Sequence, residues 1–458
     1  MESRRRSSVR RPSIAADRLG PMTMSKPPKA GGNFNLVFVG AGNINFVRIR
    51  FSGHGPASCH DTAAAKEGSD EGPWDHSFRL EHKLGPRLKV VAIIDPNAAT
   101  AEAVLDRKRS SFVVSAYQDT RICKDLDEFV STMSEDERPH AFIVGSPPAF
   151  RGSLQPGKDI EVQILKAFPN KTPALFIEKP ISTGSVEDAV EVSRMLVDSK
   201  TVVSVGYFLR YLKVVQKMRS IIEDNDLHVM ATVARYISSY AKIAKPAWWM
   251  KSRDCGPIVE QATHFIDLSR YFGGDVEMDS VQAHALEWYE EAGELSVIPV
   301  DEGKIAEDDR IPRVTSATWK YKTGAVGSLT HALVLQGTKY STELEIYADG
   351  YQLRLIDPYN APQLRVRHPG VDDEEVHTFS GDDPYFGQMQ AFIDAAEDDQ
   401  GPVPASAIVD DDESIEVLSS FDDAVKSYAL SWAIREASER SKKTIKKSAK
   451  QAETKARR

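Results

Sequence analysis

A chain of 458 residues, 41% of them hydrophobic, is long enough for two globular domains and ordinary enough in composition to give each a core. No apolar run approaches the roughly 20 residues of a membrane span, and three scattered cysteines (Cys59, Cys123, Cys255) make no disulfide framework, which suits a reducing, cytoplasmic setting. The net charge of −9 hides +6 on residues 1–29 and +8 on 440–458, leaving −23 on the body, an acidic balance that argues against nucleic acid as the main ligand.

Residues 1–32 are rich in Arg, Ser, Pro and Gly without an apolar period, so a disordered basic tail is expected there. A continuous apolar strand follows at 35–39 and runs into Gly40-Ala41-Gly42-Asn43-Ile44-Asn45. This is a dinucleotide-type turn: Gly40 permits the tight bend and Gly42 lets backbone approach a pyrophosphate. Asn45 stands where a third small residue would let helix and strand pack closely. A second strand, 89–94, ends at Asp95, an acid placed to accept from adenosine ribose hydroxyls and to repel a 2′-phosphate; NAD is therefore expected over NADP.

The gap from Gly40 to Asp95 exceeds the usual spacing of about 20 residues, so an insert is expected at about 52–85, with a short helix near 75–83. His54, Cys59, His60, His76 and His82 in that stretch match no zinc template, and they read as surface loop and not as a metal site. Further strands are expected near Ile122, at 140–144, 174–177 and 202–205, with helices at 125–133, 159–168 and 185–198 between them. Alternation of strand and helix implies a parallel, doubly wound sheet over 33–206. The strand at 140–144 closes on Ser146-Pro147-Pro148, and the one at 174–177 ends abruptly at Glu178-Lys179-Pro180. Ions are costly at the end of a buried strand, and ligands bind outside the carboxyl ends of such strands.

From 207 to 439 the pattern changes to seven strand-like runs with alternating polarity, framed by helices at 212–222, 386–396 and 414–436. That pattern predicts an α+β domain with a mostly antiparallel sheet, followed by a second basic tail at 440–458. Within it, Pro257 opens a helix on which Glu260 and His264 share a face, one turn apart. A carboxylate beside an imidazole should raise the proton affinity of the ring and tune it for acid/base work. Asp267 could hold the second ring nitrogen or pair with Arg270.

The glycine turn after strand one, the acid after strand two, Ser146-Pro147-Pro148, Glu178-Lys179-Pro180, Gly206-Tyr207-Phe208-Leu209-Arg210 and the Glu260…His264 pair together resemble the glucose–fructose oxidoreductase/inositol dehydrogenase (Gfo/Idh/MocA) family. The resemblance covers roughly 34–438 and implies a Rossmann domain followed by a substrate domain. It also implies NAD(P)-dependent oxidation or reduction of a sugar, polyol or related cyclic alcohol. By that resemblance Lys179 contacts the reacting oxygen and His264 moves the hydroxyl proton, with Glu260 beside them. The cofactor would meet Gly40 through Ile44, Asp95, Ser146, Pro147, Glu178 and Lys179. Subunits would pair as a dimer or tetramer through the open face of the second sheet. Tyr207, Arg210, Tyr236, Trp248 and Trp249 are candidates for the substrate wall or for core. Three departures stand out: Glu260 where Asp is usual, Asn45 for a glycine, and Arg151 where many members have His. A non-catalytic dinucleotide sensor of the same fold is the alternative reading, and the basic tails and the insert suit it.

Overall fold

The computed structural model describes residues 32–46, 75–398 and 416–456, with 442–456 given as backbone alone. The tail expected at 1–32 and the insert residues His54, Cys59 and His60 lie outside the described residues, except for position 32.

Six short strands form one parallel sheet: β1 (Phe34–Val39), β2 (Leu88–Ile94), β3 (Arg121–Cys123), β4 (Ala141–Val144), β5 (Ala174–Ile177) and β6 (Val203–Val205). Their order is β3-β2-β1-β4-β5-β6. All residues of β1, β4 and β5 are buried, as expected of strands covered by helices on both faces. The direction of strand succession reverses between β1 and β4, which opens a crevice at their carboxyl ends. The glycine turn leaves β1 there, and Glu178-Lys179-Pro180 leaves β5 two strands away.

The helix at His76–Leu84 is the first crossover helix of this sheet and not part of an insert. Asp75 caps it by accepting from the Phe78 amide at 3.0 Å, and Leu80 and Leu84 pack with Phe34, Leu36 and Phe38. The interruption therefore narrows to 47–74, between the glycine turn and the helix it feeds. His76, at the start of that helix, is buried, contrary to the surface loop expected of it.

The second sheet has the order β14-β13-β12-β11-β7-β10-β9-β8. Its strands are β7 (Val229–Ser239), β8 (Val276–Leu286), β9 (Val314–Tyr321), β10 (Val326–Leu335), β11 (Ser341–Ala348), β12 (Tyr351–Ile356), β13 (Gln363–Arg367) and β14 (Glu374–His377). Only β7 and β10 pair in parallel; every other neighbouring pair is antiparallel. Strand β9 shows the reason: Thr315, Ala317, Trp319 and Tyr321 point inward while Ser316, Thr318 and Lys320 meet solvent. The helix Thr263–Gly273 lies on the covered face, where Phe265, Ile266 and Leu268 join Ala234, Leu344 and Ile346 in one core. Strand β14 carries no such alternation of apolar residues, and the sequence pattern gave no sign of it.

The last two helices cross the expected boundary at 206. Met389, Phe392 and Ile393 of Pro384–Asp398 pack with the β1 residues Phe34, Leu36 and Phe38. Three ion pairs tie that helix region to the first crossover helix and the turn after it: Arg79–Asp383 at 3.1 Å, Lys83–Asp394 at 2.6 Å and Arg87–Glu397 at 2.5 Å. Phe421–Ala456 follows with Ala424, Val425 and Tyr428 in the core beneath β5, and with Leu430 and Ile434 against the second sheet. Its helical backbone continues to Ala456, so the basic tail expected beyond 440 extends this helix.

One buried acid holds the loop that underlies β5's carboxyl end. Glu161, in the first turn of Ile160–Ala167, accepts from the Gly152 amide at 2.9 Å through one oxygen, while the other has no hydrogen-bond partner among the described residues. Burial pushes its carboxyl up to about 7, from an ordinary 4.5. Below the unfolded value both states are protonated; above it the unfolded chain releases the proton while the native state keeps it until about 7. This group's stabilising contribution is therefore full in acid and is lost as pH rises through that window. Glu161→Gln should lose less stability than the wild type between about pH 5 and about pH 8 in urea unfolding, by up to about 3 kcal/mol. An identical pH dependence in the two proteins would contradict this account of Glu161.

Candidate active site

The turn after β1 is built around a glycine that no other residue could replace. Gly40 has φ 96°, and a β-carbon there would press on the Ser146 backbone, so glycine is required both by conformation and by the closeness of β4's end. Gly42 has open space where a side chain would stand. Asn45 explains its own departure from glycine. Its amide donates to the Gly40 carbonyl at 2.7 Å and the Val39 carbonyl at 3.3 Å, and its side chain fills the space above Gly145. Asp95 takes the Ala41 amide on one oxygen at 2.7 Å and the Asn97 amide on the other at 2.8 Å. A carboxylate has about four lone-pair positions, so Asp95 is fixed beside the turn with acceptor capacity left over. The hydroxyl of Ser146 is buried beside Gly40 without a partner among the described residues. A glycine bend that only glycine fits, a fixed acid and an unsatisfied hydroxyl at one crevice suit a dinucleotide.

Arg151 ties this turn region to the end of β5. Its guanidinium is buried and donates to the Pro180 carbonyl at 3.3 and 2.9 Å and to the Ser146 carbonyl. Burial lowers its proton affinity to about 10, against the pull of Glu178 and Glu161, and it remains a cation at neutral pH. The Lys179–Pro180 peptide is cis.

Lys179 crosses to the second domain. Its ammonium donates to the Glu260 carbonyl at 3.1 Å and stands 3.7 Å from the Glu260 carboxylate, whose other oxygen accepts from the Trp248 indole at 3.2 Å. Glu260 closes the short helix Pro257–Glu260, and Gln261 and Ala262 separate it from Thr263–Gly273. The expected single helix is thus two segments. The break bears on chemistry, because Glu260 faces Lys179 and no hydrogen bond joins it to His264.

His264 is buried, and its Nδ1 has no hydrogen-bond partner among the described residues. Burial, and then the Lys179 charge, hold its proton affinity well below the usual imidazole range. This reverses the expected direction: a carboxylate would have raised it, but none touches the ring. Aromatic rings surround it instead, with Phe208 at 5.1 Å, Tyr207 at 6.0 Å and Tyr359 at 6.2 Å between centroids. Tyr236 continues this wall, lying 5.9 Å from Tyr359, 5.8 Å from Tyr340 and stacked on His331 at 5.3 Å.

The remaining candidates have structural partners. Asp267 does not reach His264; it binds Arg210 through both carboxylate oxygens, at 2.7 and 2.6 Å, and accepts from the Ser427 hydroxyl. Arg270 pairs with Asp275 and Asp423. Arg210 also reaches Asp423, so its guanidinium is already occupied. The Tyr207 hydroxyl meets that of Thr263 at 2.9 Å. Trp249 is fully buried among Tyr240, Ile311 and Leu333, and its indole donates to the Ile243 carbonyl. A cavity of about 300 Å³ is lined by Arg210, Arg219, Arg270, Tyr271 and Asp423, and not by Lys179 or His264.

Sequence reasoning missed His76, Tyr340 and Tyr359. For His76 a signal existed: with a helix expected from 75, His76 shares a face with Leu80 and Leu84 at helical spacing, which places it inward. Tyr340 and Tyr359 lie in short connections between strands, where no period marks a side chain as inward.

Residues 34–207 match the model of the oxidoreductase family with an NAD-binding Rossmann fold, and 210–351 match an oxidoreductase C terminal domain. Two uncharacterized proteins of Schizosaccharomyces pombe are 45% and 41% identical, covering 91% and 90% of this chain and 94% and 98% of their own. Among solved structures, a levoglucosan dehydrogenase in complex with NADH and L-sorbose is 17% identical with a TM-score of 0.60, over 89% of this chain and 97% of its own. The WlbA dehydrogenase of Chromobacterium violaceum, in complex with NADH and UDP-GlcNAcA, is 16% identical with a TM-score of 0.58, over 91% and 96%. At that identity the solved structures speak for the fold, while the two family matches carry the assignment. With its NAD-binding Rossmann sheet and its mostly antiparallel second sheet, this chain belongs to the Gfo/Idh/MocA family of oxidoreductases.

Proposed function

We propose that the chain is an NAD-dependent dehydrogenase acting on a hydroxyl carbon of a sugar, polyol or related cyclic alcohol. One observation carries the reading: the ammonium at the end of β5 meets the second domain at Glu260, four residues before His264, whose buried imidazole feels the Lys179 charge. When bound, the nicotinamide supplies the acceptor for a hydride. The residues that would hold the dinucleotide are Gly40, Ala41, Gly42, Asn43 and Ile44 at the phosphates, Asp95 at the adenosine ribose, and Ser146, Pro147, Glu178 and Lys179 towards the reacting end.

Lys179 polarises the substrate oxygen, and its charge stabilises negative charge that develops as the hydroxyl proton leaves. His264 takes that proton. Burial keeps the ring neutral through the neutral range, so it begins as a free base with a nitrogen able to accept the proton. Glu260 holds Lys179 in place through its carbonyl and partly balances its charge. Tyr236, Tyr340 and Tyr359 offer phenol-bearing faces suited to a hydroxylated ring. Carbohydrate ligands in the two dehydrogenase complexes named above support that substrate class. The sensor alternative gives no reason for a lysine and a histidine to be brought together at this crevice. Cys123 is buried and in no disulfide, and no described helix is long and apolar enough to cross a membrane; the first fits a reducing, cytoplasmic setting. Met230, Val233 and Tyr347 are exposed on β7 and β11 of the second sheet, a face through which two or four subunits would pair.

NADH formation across a panel of sugars, inositols and sugar acids identifies the substrate. Lys179→Ala should then lower kcat by on the order of 10²–10⁴-fold while calorimetry still detects NAD binding. Full turnover by this variant would end the dehydrogenase mechanism. Asp95→Ala should weaken NAD binding more than NADP binding, because a 2′-phosphate is no longer repelled. An unchanged preference between the two would refute the role given to Asp95.

A further inference from the structure

The end of β5 is gripped from a third side by a residue outside the family motifs. The Nε2 of His76 lies 2.7 Å from Glu178 Oε1, and both side chains are buried. Burial alone would raise the Glu178 carboxyl. The His76 hydrogen bond, with the charges of Lys179 and Arg151, outweighs it and brings the carboxyl below its ordinary range. An ionised carboxylate has no proton to give, so the imidazole is the donor. The other oxygen of Glu178 accepts from the Lys179 amide at 3.1 Å, and the carboxylate rests on Gly206, where a β-carbon would displace it.

The backbone of His76 faces the other way along the crevice. Its amide donates to the Ile44 carbonyl at 3.2 Å, and the Ser77 amide donates to the Asn45 carbonyl at 3.0 Å. Asn45 in turn holds the Gly40 carbonyl. A single residue therefore bonds through its backbone to the phosphate turn and through its ring to the residue before Lys179. Its ring sits edge-on to Phe176 at 4.9 Å and is 1% exposed, so it cannot itself touch substrate.

We infer that His76 is a positioning residue: by fixing Glu178 it fixes the backbone from which Lys179 projects, and it links that backbone to the cofactor turn. This rests on the reading of Lys179 as the group that polarises the reacting oxygen. A carboxylate held by two donors has one orientation; with the imidazole removed, Glu178 is left buried with an oxygen unpaired, and it turns or recruits water. Lys179 then loses its fixed start, and its ammonium samples more positions than the one beside the Glu260 carbonyl.

The test reads Lys179 directly and needs no substrate. On the full-length protein, the rate at which an amine-selective acetylating reagent labels Lys179 is followed by mass spectrometry, at a temperature where circular dichroism shows each variant folded. His76→Leu, which keeps apolar volume beside Leu80, should change the rate by at least about fivefold, the worth of one hydrogen bond. His76→Gln, which returns an N–H donor, should bring it back towards the wild type. Where His76→Leu does not fold, the double variant His76→Leu/Glu178→Gln leaves no carboxylate unpaired and carries the same expectation. A wild-type labelling rate in the folded Leu variant, or no recovery in the Gln variant, overturns the inference. NAD added to the wild type should slow labelling of Lys179. Failure of that protection counts against the cofactor placement proposed above, and leaves the comparison among His76 variants to stand or fall separately.

Discussion

A lysine that reaches out of one domain to a backbone carbonyl of the other is the contact on which this structure turns. The Nζ of Lys179 meets the Glu260 carbonyl at 3.1 Å, and that carbonyl is free to accept because Pro257–Glu260 ends where it does. A continuous helix through 257–273 would have directed the carbonyl along its own axis to the amide four residues on. The break at Gln261–Ala262 thus serves two ends. It gives Lys179 a partner, and it turns Glu260 away from His264 so that the imidazole stays without a carboxylate.

The effect on His264 is a matter of sign. A buried imidazole with an ammonium in its surroundings and aromatic edges around it is poor at holding a proton, which suits a group that must begin the reaction unprotonated. The lysine has charge partners instead, because the Glu260 carbonyl and carboxylate both face its ammonium. Opposite demands on two neighbouring bases are met by different surroundings: charge partners for one, hydrocarbon for the other. The supports lie behind them. Arg151 joins the ends of β4 and β5, Glu161 holds the loop beneath, and Asp267 spends both oxygens on Arg210 to anchor the helix that carries His264.

Much of this could be read from the chain. The apolar runs of β1, β2, β4 and β5 stand out because strands covered on both faces have no polar alternation, and their ends are marked by residues a buried strand cannot hold: Gly40, Asp95, Ser146 and Glu178. Lys179 and His264 were visible through the family pattern. The relations between them were not. Whether Glu260 faces Lys179 or His264 depends on a break of two residues, and helical spacing alone predicts the wrong neighbour. Arg210 looked like a pocket residue because its partners, Asp267 and Asp423, lie 57 and 213 positions away. The unusual length of the segment before His76 made a crossover helix look like part of a surface insert, so its inward face went unread. The return of Pro384–Asp398 to pack on β1 was equally out of reach, since its apolar face is the same whichever sheet it covers.

The account stands most directly on where a nicotinamide ring lies. A crystal structure of the protein with NAD should place the ring in the crevice between the Gly40–Gly42 turn and Glu260, with C4 open to a substrate held by Lys179 and His264 at about 3–3.5 Å from the reacting atom. A dinucleotide seated elsewhere, or a ring separated from Lys179 and His264 by intervening protein, would contradict it.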